Sequence, residues 1–286
     1  MTHVREVIRK TFEIRPSGRS TDFISPSFGF GCLYDCAYCY CKRNTDLELT
    51  VATNPQDILT AVNNHAMFAL VEKPNQTHPE YITYDLSCNE DFILHARFHN
   101  WKYIFDFFKN HPRAMGSLAT KYVNPKLLEY NPEGKIRIRF SLMPQHFSDL
   151  LEPKTSLILE RIKAIDQFIE AGYDVHINFS PVIVHHRWLE HYKYLFEQVD
   201  KHVVNKDKVK CEVIFLTHNE SKHEKNLLYD KKGEYLIWVP EVQENKISQY
   251  GGENIRYKRE LKAHYIEQFK TLHKETINWC TIRYIF

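Results

Sequence analysis

The sequence predicts an α/β fold, a partial or complete βα barrel, from two observations. Short apolar segments with strand-like spacing alternate with amphipathic segments of helical spacing, and about six such units precede the C-terminal part. The hydrophobic fraction is 43% of 286 residues, so a core of normal size can form. Repeated βα units indicate a parallel sheet with helices outside it.

Each element has its own local signal. The predicted strands are residues 28–30, 81–86, 117–120, 135–142, 175–179 and 209–215. Helices are predicted where a capping residue precedes proline or where apolar residues recur at helical spacing. They run from Asn54-Pro55 to about Val71, through Trp101 to Phe108, from Asn124-Pro125, and from Thr155 to Ala171 with Gly172 as the C-terminal cap.

A barrel places its chemistry at the carboxyl ends of its strands. Polar residues follow the predicted strands there: Ser87-Cys88-Asn89-Glu90, Lys121, Ser141 and Thr217-His218. They are candidates for a catalytic or binding site. The alternative is that each merely caps the helix that follows it.

Bulk composition excludes several classes of protein. No apolar run approaches the roughly 20 residues of a membrane span, and the N-terminal residues lack the apolar core of a secretory signal. We therefore expect a cytoplasmic protein that does not enter membranes. Reduced cysteines then favour metal binding or catalysis over disulfides. A net charge of +2 is too small to indicate a nucleic-acid binder by itself.

Four of the seven cysteines lie within ten positions. Cys32, Cys36 and Cys39 have the spacing Cys-x3-Cys-x2-Cys, and Cys41 follows too closely to be a further ligand of the same ion. Structural zinc takes four ligands in two separated pairs, and no second pair follows. Three thiolates on an iron–sulfur cubane would instead leave one iron open to a cofactor or substrate. Zinc remains the alternative at this point.

Cys-x3-Cys-x-aromatic-Cys, with Tyr38 as the aromatic residue and Gly31 before it, resembles the signature of radical S-adenosylmethionine enzymes. The resemblance implies a [4Fe-4S] cluster held by Cys32, Cys36 and Cys39. It implies that S-adenosylmethionine chelates the open iron through its amino and carboxylate groups. It also implies that reductive cleavage of this cofactor gives a 5′-deoxyadenosyl radical that abstracts hydrogen.

Further segments, in order along most of the chain, resemble the spore photoproduct lyase family of DNA-repair enzymes. They are Ile8-Arg9-Lys10-Thr11-Phe12, Gly31 through Tyr40, Ser87-Cys88, Ala119-Thr120-Lys121-Tyr122, Ile138-Arg139-Phe140-Ser141, Glu152-Pro153-x-Thr155-Ser156, Ala171-Gly172-Tyr173, Ser180-Pro181, and Trp188 with Tyr192. The resemblance implies a partial (β/α)6 barrel. It also implies reversal of a thymine-dimer lesion in DNA, a carbon–carbon lyase reaction.

The resemblance also implies residue roles. Cys88 matches the cysteine that returns a hydrogen atom to the thymine radical, although a free cysteine is more often a small buried apolar residue. Tyr40 matches a tyrosine that assists this step, and Tyr38 is expected near the adenosyl group. Lys121 and Ser141 match cofactor contacts, for which the alternative at Lys121 is a solvated lysine.

The end of the second strand is expected to contact the cofactor through Ser87, Asn89 and Glu90. Glu90 stands where the family has a serine, and it either recruits the cofactor's amino group or caps a helix. Many radical enzymes carry Gly-Gly-Glu after this strand. Here that motif is Gly251-Gly252-Glu253, far beyond it, so we predict a turn there.

A C-terminal hairpin of the family carries an Arg-Tyr wedge for the lesion, and here it reads Gln249-Tyr250. Tyr250 is expected to stack on the substrate, and Arg256 and Lys258 to contact DNA phosphates. A solvated charged surface is the alternative for the two cations. The low net charge predicts modest DNA affinity that falls with salt.

These expectations define three regions: residues 1–22 as an N-terminal segment, 23–220 as the barrel core, and 221–286 as an extension with hairpin, helix and final strand packed on the barrel. Expected partners are damaged DNA and an electron donor such as flavodoxin or ferredoxin, with the chain a monomer or weak dimer. Two other hypotheses remain. One is a radical enzyme of the same lineage acting on another nucleoside, nucleic acid or peptide, and the other is a non-enzymatic iron–sulfur or zinc protein that binds nucleic acid.

Overall fold

The structure is a computed structural model that describes residues 4–17, 22–39, 41, 49–68, 78–247 and 251–286. The strands of these residues are β1 (Val4–Val7), β2 (Arg15–Pro16), β3 (Phe23–Ile24), β4 (Gly29–Phe30), β5 (Leu49–Ala52), β6 (Ile82–Asp85), β7 (Ala114–Thr120), β8 (Ile136–Ser141), β9 (Asp174–Val182), β10 (Lys210–Phe215), β11 (Thr217–His218), β12 (Gln243–Ile247), β13 (Glu253–Tyr257) and β14 (Thr281–Ile285). The α-helices are α1 (Pro55–Phe68), α2 (Phe92–His95), α3 (Trp101–Asn110), α4 (Gln145–Leu151), α5 (Ile158–Glu170), α6 (Trp188–His202), α7 (Glu220–Leu228), α8 (Glu234–Ile237) and α9 (Arg259–Thr276).

The main sheet has eight strands in the order β14-β10-β9-β8-β7-β6-β3-β2. The pairs β3–β6, β6–β7, β7–β8 and β10–β14 are parallel, as repeated βα units require. A three-stranded sheet has the order β1-β5-β4, and a second has the antiparallel order β11-β13-β12. The parallel pairs orient several carboxyl strand ends the same way, as the sequence predicted.

Contacts divide the chain into two compact units. The first unit comprises the described residues of 1–33, 44–140 and 164–176, and the second those of 34–43, 141–163 and 177–286. Within the first unit, β8 alternates apolar core residues with buried arginines. Arg137 donates to Asp174 at 2.7 Å, and Arg139 pairs with Asp85 at 2.8 Å. Paired charges therefore occupy the second face of this strand.

Most predicted elements are present, with shifted ends. Pro55 begins α1 and Trp101 begins α3, as their signals predicted. The helix predicted from Asn124-Pro125 is only a five-residue 3-10 helix, Pro125–Glu129. It is short because Pro132 and the positive-φ residue Glu133 follow closely and cannot continue a helix.

The predicted first strand was placed wrongly. Gly29–Phe30 pairs antiparallel with β5 in a small sheet, whereas β3, Phe23–Ile24, is the strand parallel to β6 in the main sheet. An apolar run does not reveal its pairing partner. In the C-terminal region, β12 and β13 form the expected hairpin, and Gly251 with φ +80 lies in its connection, as predicted for a turn.

The final strand, β14, pairs with β10 at the edge of the main sheet, so it is part of that sheet. Cys211 and Cys280 are both fully buried in this region. Among the described residues, no helix has the length and apolar character needed to cross a membrane.

Candidate active site

A tight turn brings two of the clustered cysteines together in the second unit. The amide of Cys39 donates to the carbonyl of Cys36 at 3.1 Å, which closes a four-residue turn. Turns of this kind hold their first and last Cα atoms within about 7 Å of each other. Cys36 is buried, Cys39 is half-buried, and neither forms a disulfide. The turn thus brings Cys36 and Cys39 close together within a short loop.

The chain around Cys32 is fixed within the first unit. Gly31 has φ +89, a conformation that favours glycine, and its amide donates to the carbonyl of Asn89 at 3.1 Å. The amide of Leu33 donates to Nε2 of His95 at 3.2 Å. Cys32 is buried and also free of disulfides. Hydrogen bonds of the residues on both sides therefore position the backbone of Cys32.

The donor set fits an iron–sulfur cluster better than a structural zinc ion. Structural zinc takes four protein ligands, whereas three thiolates from Cys32, Cys36 and Cys39, none of them in a disulfide, suit a cubane with one open iron. Cys41 is half-buried and equally free of disulfides. Cys41 lies two residues after Cys39, and we assign no role to it.

The hydroxyl of Tyr38 donates to Oε1 of Glu152 in the second unit. Glu152 is a buried carboxylate whose Oε2 accepts from Arg161 at 3.0 Å and from Ser148 at 3.0 Å. Arg161 in turn donates to the carbonyl of Ser141 at 2.8 Å. Burial, and next the charge of Glu152, hold the pKa of Tyr38 well above its ordinary value, so its phenol stays protonated.

Ser141 is the last residue of β8 and is buried. Its hydroxyl accepts from Nδ2 of Asn178 on β9 at 3.4 Å. Oδ1 of Asn178 is buried with no hydrogen-bond partner among the described residues. A polar pair thus joins the end of β8, where a cofactor contact was expected, to the middle of β9.

In the first unit, the segment after β6 carries the predicted Ser87, Cys88 and Asn89. The hydroxyl of Ser87 donates to Asp85 at 3.1 Å and accepts from the amide of Ala119 at 2.8 Å, which ties β6 to β7. Nδ2 of Asn89 donates to the hydroxyl of Ser27 at 2.5 Å. Cys88 lies between them in a turn, half-buried and without a disulfide.

Glu90 does not cap a helix, so that alternative was wrong; Asp91 caps α2 instead. Oε2 of Glu90 accepts from His95 at 3.0 Å and from His99 at 2.9 Å. Burial alone would raise the pKa of Glu90, but its interactions with His99 and His95 outweigh burial and lower it. Its Oε1 is buried without a hydrogen-bond partner among the described residues, and a Cβ on Gly29 would lie 2.6 Å from it.

Asp91 links the start of α2 to the end of β7 in the first unit. Besides capping α2, it accepts from the hydroxyl of Thr120 at 2.8 Å and from the amide of Lys121 at 2.9 Å. Lys121 follows β7 directly and its side chain is half-buried. The backbone of this predicted cofactor residue is therefore positioned by a buried carboxylate.

The predicted DNA contacts differ in exposure. Arg256 lies on β13 and is 7% exposed, so it does not present its guanidinium to solvent. Lys258 is exposed and donates to the carbonyl of Glu241 at 2.8 Å. Tyr40, Tyr250 and Gln249 lie outside the described residues.

Sequence reasoning gave no role to Glu152, His95, Asn226 or Glu234. The sequence did contain a pointer to Glu152, because this residue begins a segment that resembles the lyase family. Asn226 had none, since its partner on the cysteine loop, Ala37, lies 189 positions away. Side-chain contacts over such separations have no local pattern.

Solved structures share this fold. Spore photoproduct lyase complexed with dinucleoside spore photoproduct matches with a TM-score of 0.86 and 21% identity, over 99% of this chain and 82% of that chain. A variant of that lyase with bound AdoMet and the dinucleoside matches with the same TM-score and 20% identity, over 99% and 82%. The predicted partial βα barrel is confirmed.

The family follows from sequence. The family model described as spore photoproduct lyase matches residues 2–286. The chain therefore belongs to the spore photoproduct lyase family.

Two curated relatives are both spore photoproduct lyases. The protein of Bacillus subtilis (strain 168) is 30% identical over 196 residues, which are 68% of this chain and 55% of the relative. The protein of Geobacillus sp. (strain Y412MC61) is 25% identical over 224 residues, 77% of this chain and 63% of the relative. The chain thus spans 55% and 63% of these two relatives.

Proposed function

We propose that this chain is a radical S-adenosylmethionine lyase that reverses spore photoproduct, a thymine-dimer lesion, in DNA. The observation that carries the proposal is the turn from Cys36 to Cys39 within a chain that matches the lyase family over residues 2–286. Relatives of the same fold have been solved with AdoMet and the dinucleoside lesion. These two bound molecules correspond to the cofactor and the lesion of the proposed reaction.

The proposed cluster ligands are Cys32, Cys36 and Cys39. When bound, the [4Fe-4S] cluster supplies an electron and S-adenosylmethionine supplies the 5′-deoxyadenosyl radical that takes hydrogen from the lesion. The chain's part is to hold three thiolates and to leave the fourth iron to the cofactor. The turn at Cys36 supports this, because it fixes the spacing of two ligands before metal binds.

The proposed cofactor contacts come from strand ends. They are Tyr38, Ser87, Asn89, Glu90, Lys121 and Ser141. The ammonium of Lys121 would orient the cofactor's carboxylate, and a carboxylate such as Glu90 would accept from its amino group. The buried and unpartnered Oε1 of Glu90 supports an acceptor role.

Cys88 is the proposed hydrogen donor, with Tyr40 assisting. After the bond between the thymines breaks, the thymine radical takes the hydrogen atom of the Cys88 thiol, and a sulfur radical remains on the protein. Half-burial suits this role, since the thiol must meet substrate yet stay away from bulk solvent. Tyr38, whose hydroxyl donates to Glu152, lies in the same loop as the proposed cluster ligands.

DNA is the proposed macromolecular substrate. Tyr250 would stack on the displaced lesion, and the exposed Lys258 is better placed for a phosphate than the buried Arg256. A cytoplasmic location, a flavodoxin or ferredoxin as electron donor, and a monomer or weak dimer are part of the same proposal. Binding is expected to be modest and to weaken with salt.

The test is anaerobic incubation of reduced, cluster-loaded protein with S-adenosylmethionine and synthetic lesion. Thymine-containing repaired product together with 5′-deoxyadenosine is the expected outcome. Cofactor cleavage without repair would replace the proposal by the second candidate, a radical enzyme of the same lineage with another nucleoside, nucleic-acid or peptide substrate. Gln249 in place of the wedge arginine favours that candidate.

A further inference from the structure

Asn226 on α7 reaches the cysteine loop. Its side chain is almost fully buried, and Nδ2 donates to the carbonyl of Ala37 at 2.7 Å and to Oε2 of Glu234 at 2.5 Å. An amide nitrogen carries two hydrogens, so the two bonds use both. Ala37 stands between Cys36 and Tyr38 and is buried as well. One side chain thus connects a buried carboxylate to the backbone of the loop.

Glu234 is itself fixed from its other side. Oε1 accepts from His218 at 2.7 Å and from His223 at 2.6 Å. The ring of His223 stacks on Trp238 with 3.9 Å between centroids. Burial alone would raise the pKa of Glu234, but hydrogen bonds from His218, His223 and Asn226 outweigh burial and lower it. The carboxylate therefore stays ionised and keeps accepting from Asn226.

Two histidines and a glutamate are also a metal-binding set, and their ligand atoms lie within 4.8 Å of one another. The distances between these atoms are those of hydrogen bonds. Nitrogen and oxygen ligands of a tetrahedral zinc ion stand about 3.3 Å apart, given bonds of about 2.0 Å. Here the nitrogens of His218 and His223 lie 2.7 and 2.6 Å from Glu234, which are hydrogen-bond distances. The group is an anchor made of hydrogen bonds.

The loop is held at Ala37 from both of its peptide groups. The amide of Ala37 donates to the carbonyl of Leu151 at 2.9 Å, while its carbonyl accepts from Asn226. Two residues before Ala37, Asp35 forms an ion pair with Lys231, a residue shortly after α7. Rotation of the peptides on either side of Ala37 would change the distance between Cys36 and Cys39. These bonds oppose that rotation.

We propose that Asn226 and Glu234 are positioning residues that hold the Ala37 carbonyl, and with it the spacing of Cys36 and Cys39, ready for the cluster. The inference rests on the proposed function, because it takes these two cysteines as cluster ligands. Partners outside the ligand set that orient the ligands typically change metal affinity 10- to 100-fold when they are removed. Neither Asn226 nor Glu234 was a site candidate from sequence, whereas their neighbour His218 was.

Three variants and one control test the proposal. Asn226→Ala removes both hydrogen bonds, and Asn226→Asp removes the donors at nearly constant volume. Glu234→Gln keeps an acceptor for Asn226 but removes the charge, so a smaller effect in the same direction is expected. The control is Asn219→Ala at the N-terminal end of α7, where Nδ2 donates to the carbonyl of Glu253 at 3.1 Å, away from the loop.

Two readouts are used on protein whose folding is confirmed by circular dichroism. In cluster-free protein, hydrogen exchange of residues 34–39 should speed up in both Asn226 variants and stay unchanged in the control. In cluster-loaded protein, iron should pass to a chelator about 10-fold faster in the Asn226 variants. A merely structural role would lower the melting temperature without a selective change in these six residues.

Equal exchange at residues 34–39 and equal iron loss in wild type, the Asn226 variants and the control would overturn the proposal. Failure of the wild type to bind a cluster would instead count against the proposed function. The exchange measurement still decides the inference in that case, since it needs no cluster. If Asn226→Ala fails to fold, the same two measurements on Asn226→Asp and Glu234→Gln decide whether the proposal holds.

Discussion

The Tyr38 hydroxyl donates a hydrogen bond to Glu152, and the two residues lie 114 positions apart in the sequence. Glu152 uses its other oxygen to pair with Arg161, and both charged side chains are fully buried. The aromatic residue of the cysteine motif is thus attached to a buried ion pair. Burial, and next the charge of Glu152, raise the pKa of Tyr38 above its ordinary value.

Glu152→Gln is expected to destabilise the protein, because it leaves the charge of Arg161 buried without its counter-charge. Loss of one partner of a buried pair costs about 3 kcal/mol. Chemical denaturation of the cluster-free protein would measure the loss. Glu190→Gln is the matched control: its ion pair with Arg187 is exposed, so no measurable change is expected. Equal stability of the two variants would contradict the role given to Glu152.

Gly29 and Glu90 are expected to be energetically coupled. A Cβ at position 29 would meet both carboxylate oxygens of Glu90 at 2.6 and 2.7 Å, so Gly29→Ala should cost about 2 kcal/mol. In a Glu90→Ser background the shorter side chain removes the clash, and the cost should fall below about 1 kcal/mol. A double-mutant cycle by denaturation measures the difference. An equal cost in both backgrounds would show that the close approach is not what requires glycine.

The pH dependence of stability is expected to include His273. Burial lowers its pKa to about 4, below the ordinary value of 6.5. The unfolded chain therefore binds more protons than the native one between these values, and stability falls as pH drops from about 6.5 to 4, by an amount on the order of 3 kcal/mol. His273→Gln should remove that part of the slope. Between pH 7 and 8 wild type and variant should show the same pH dependence, and a slope between pH 4 and 6.5 unchanged by the substitution would contradict the assignment.

Cys88→Ala separates hydrogen abstraction from hydrogen return. The variant should still form 5′-deoxyadenosine but lose most of the normal repaired thymine, because the thymine radical no longer meets a thiol. Chromatographic analysis of cofactor and nucleoside products measures both. Unchanged clean repair would mean that another residue donates the hydrogen.

Local patterns predicted local structure. The proline after Asn54 marked the start of α1, and the cysteine spacing identified a loop whose turn from Cys36 to Cys39 is present. The pairing of Gly29–Phe30 was missed, because partner choice depends on distant strands. The side-chain contacts that support the site were missed for the same reason, because their partners are distant in the sequence. The bonds from Glu152 to Tyr38 and from Asn226 to Ala37 join residues 114 and 189 positions apart.

The central claim is that three of the four clustered cysteines hold an iron–sulfur cluster that leaves one iron for S-adenosylmethionine. Its most direct test is the iron content of anaerobically reconstituted protein, together with the electron paramagnetic resonance spectrum of the same protein after chemical reduction, with and without the cofactor. Cys36→Ala and Cys41→Ala are matched changes within one loop.

Wild type and Cys41→Ala are expected to hold about four iron atoms per chain and to change spectrum when the cofactor is added. Cys36→Ala should retain little iron and show no such change. Tightly bound zinc in place of iron, or equal loss of iron in the two variants, would contradict the claim.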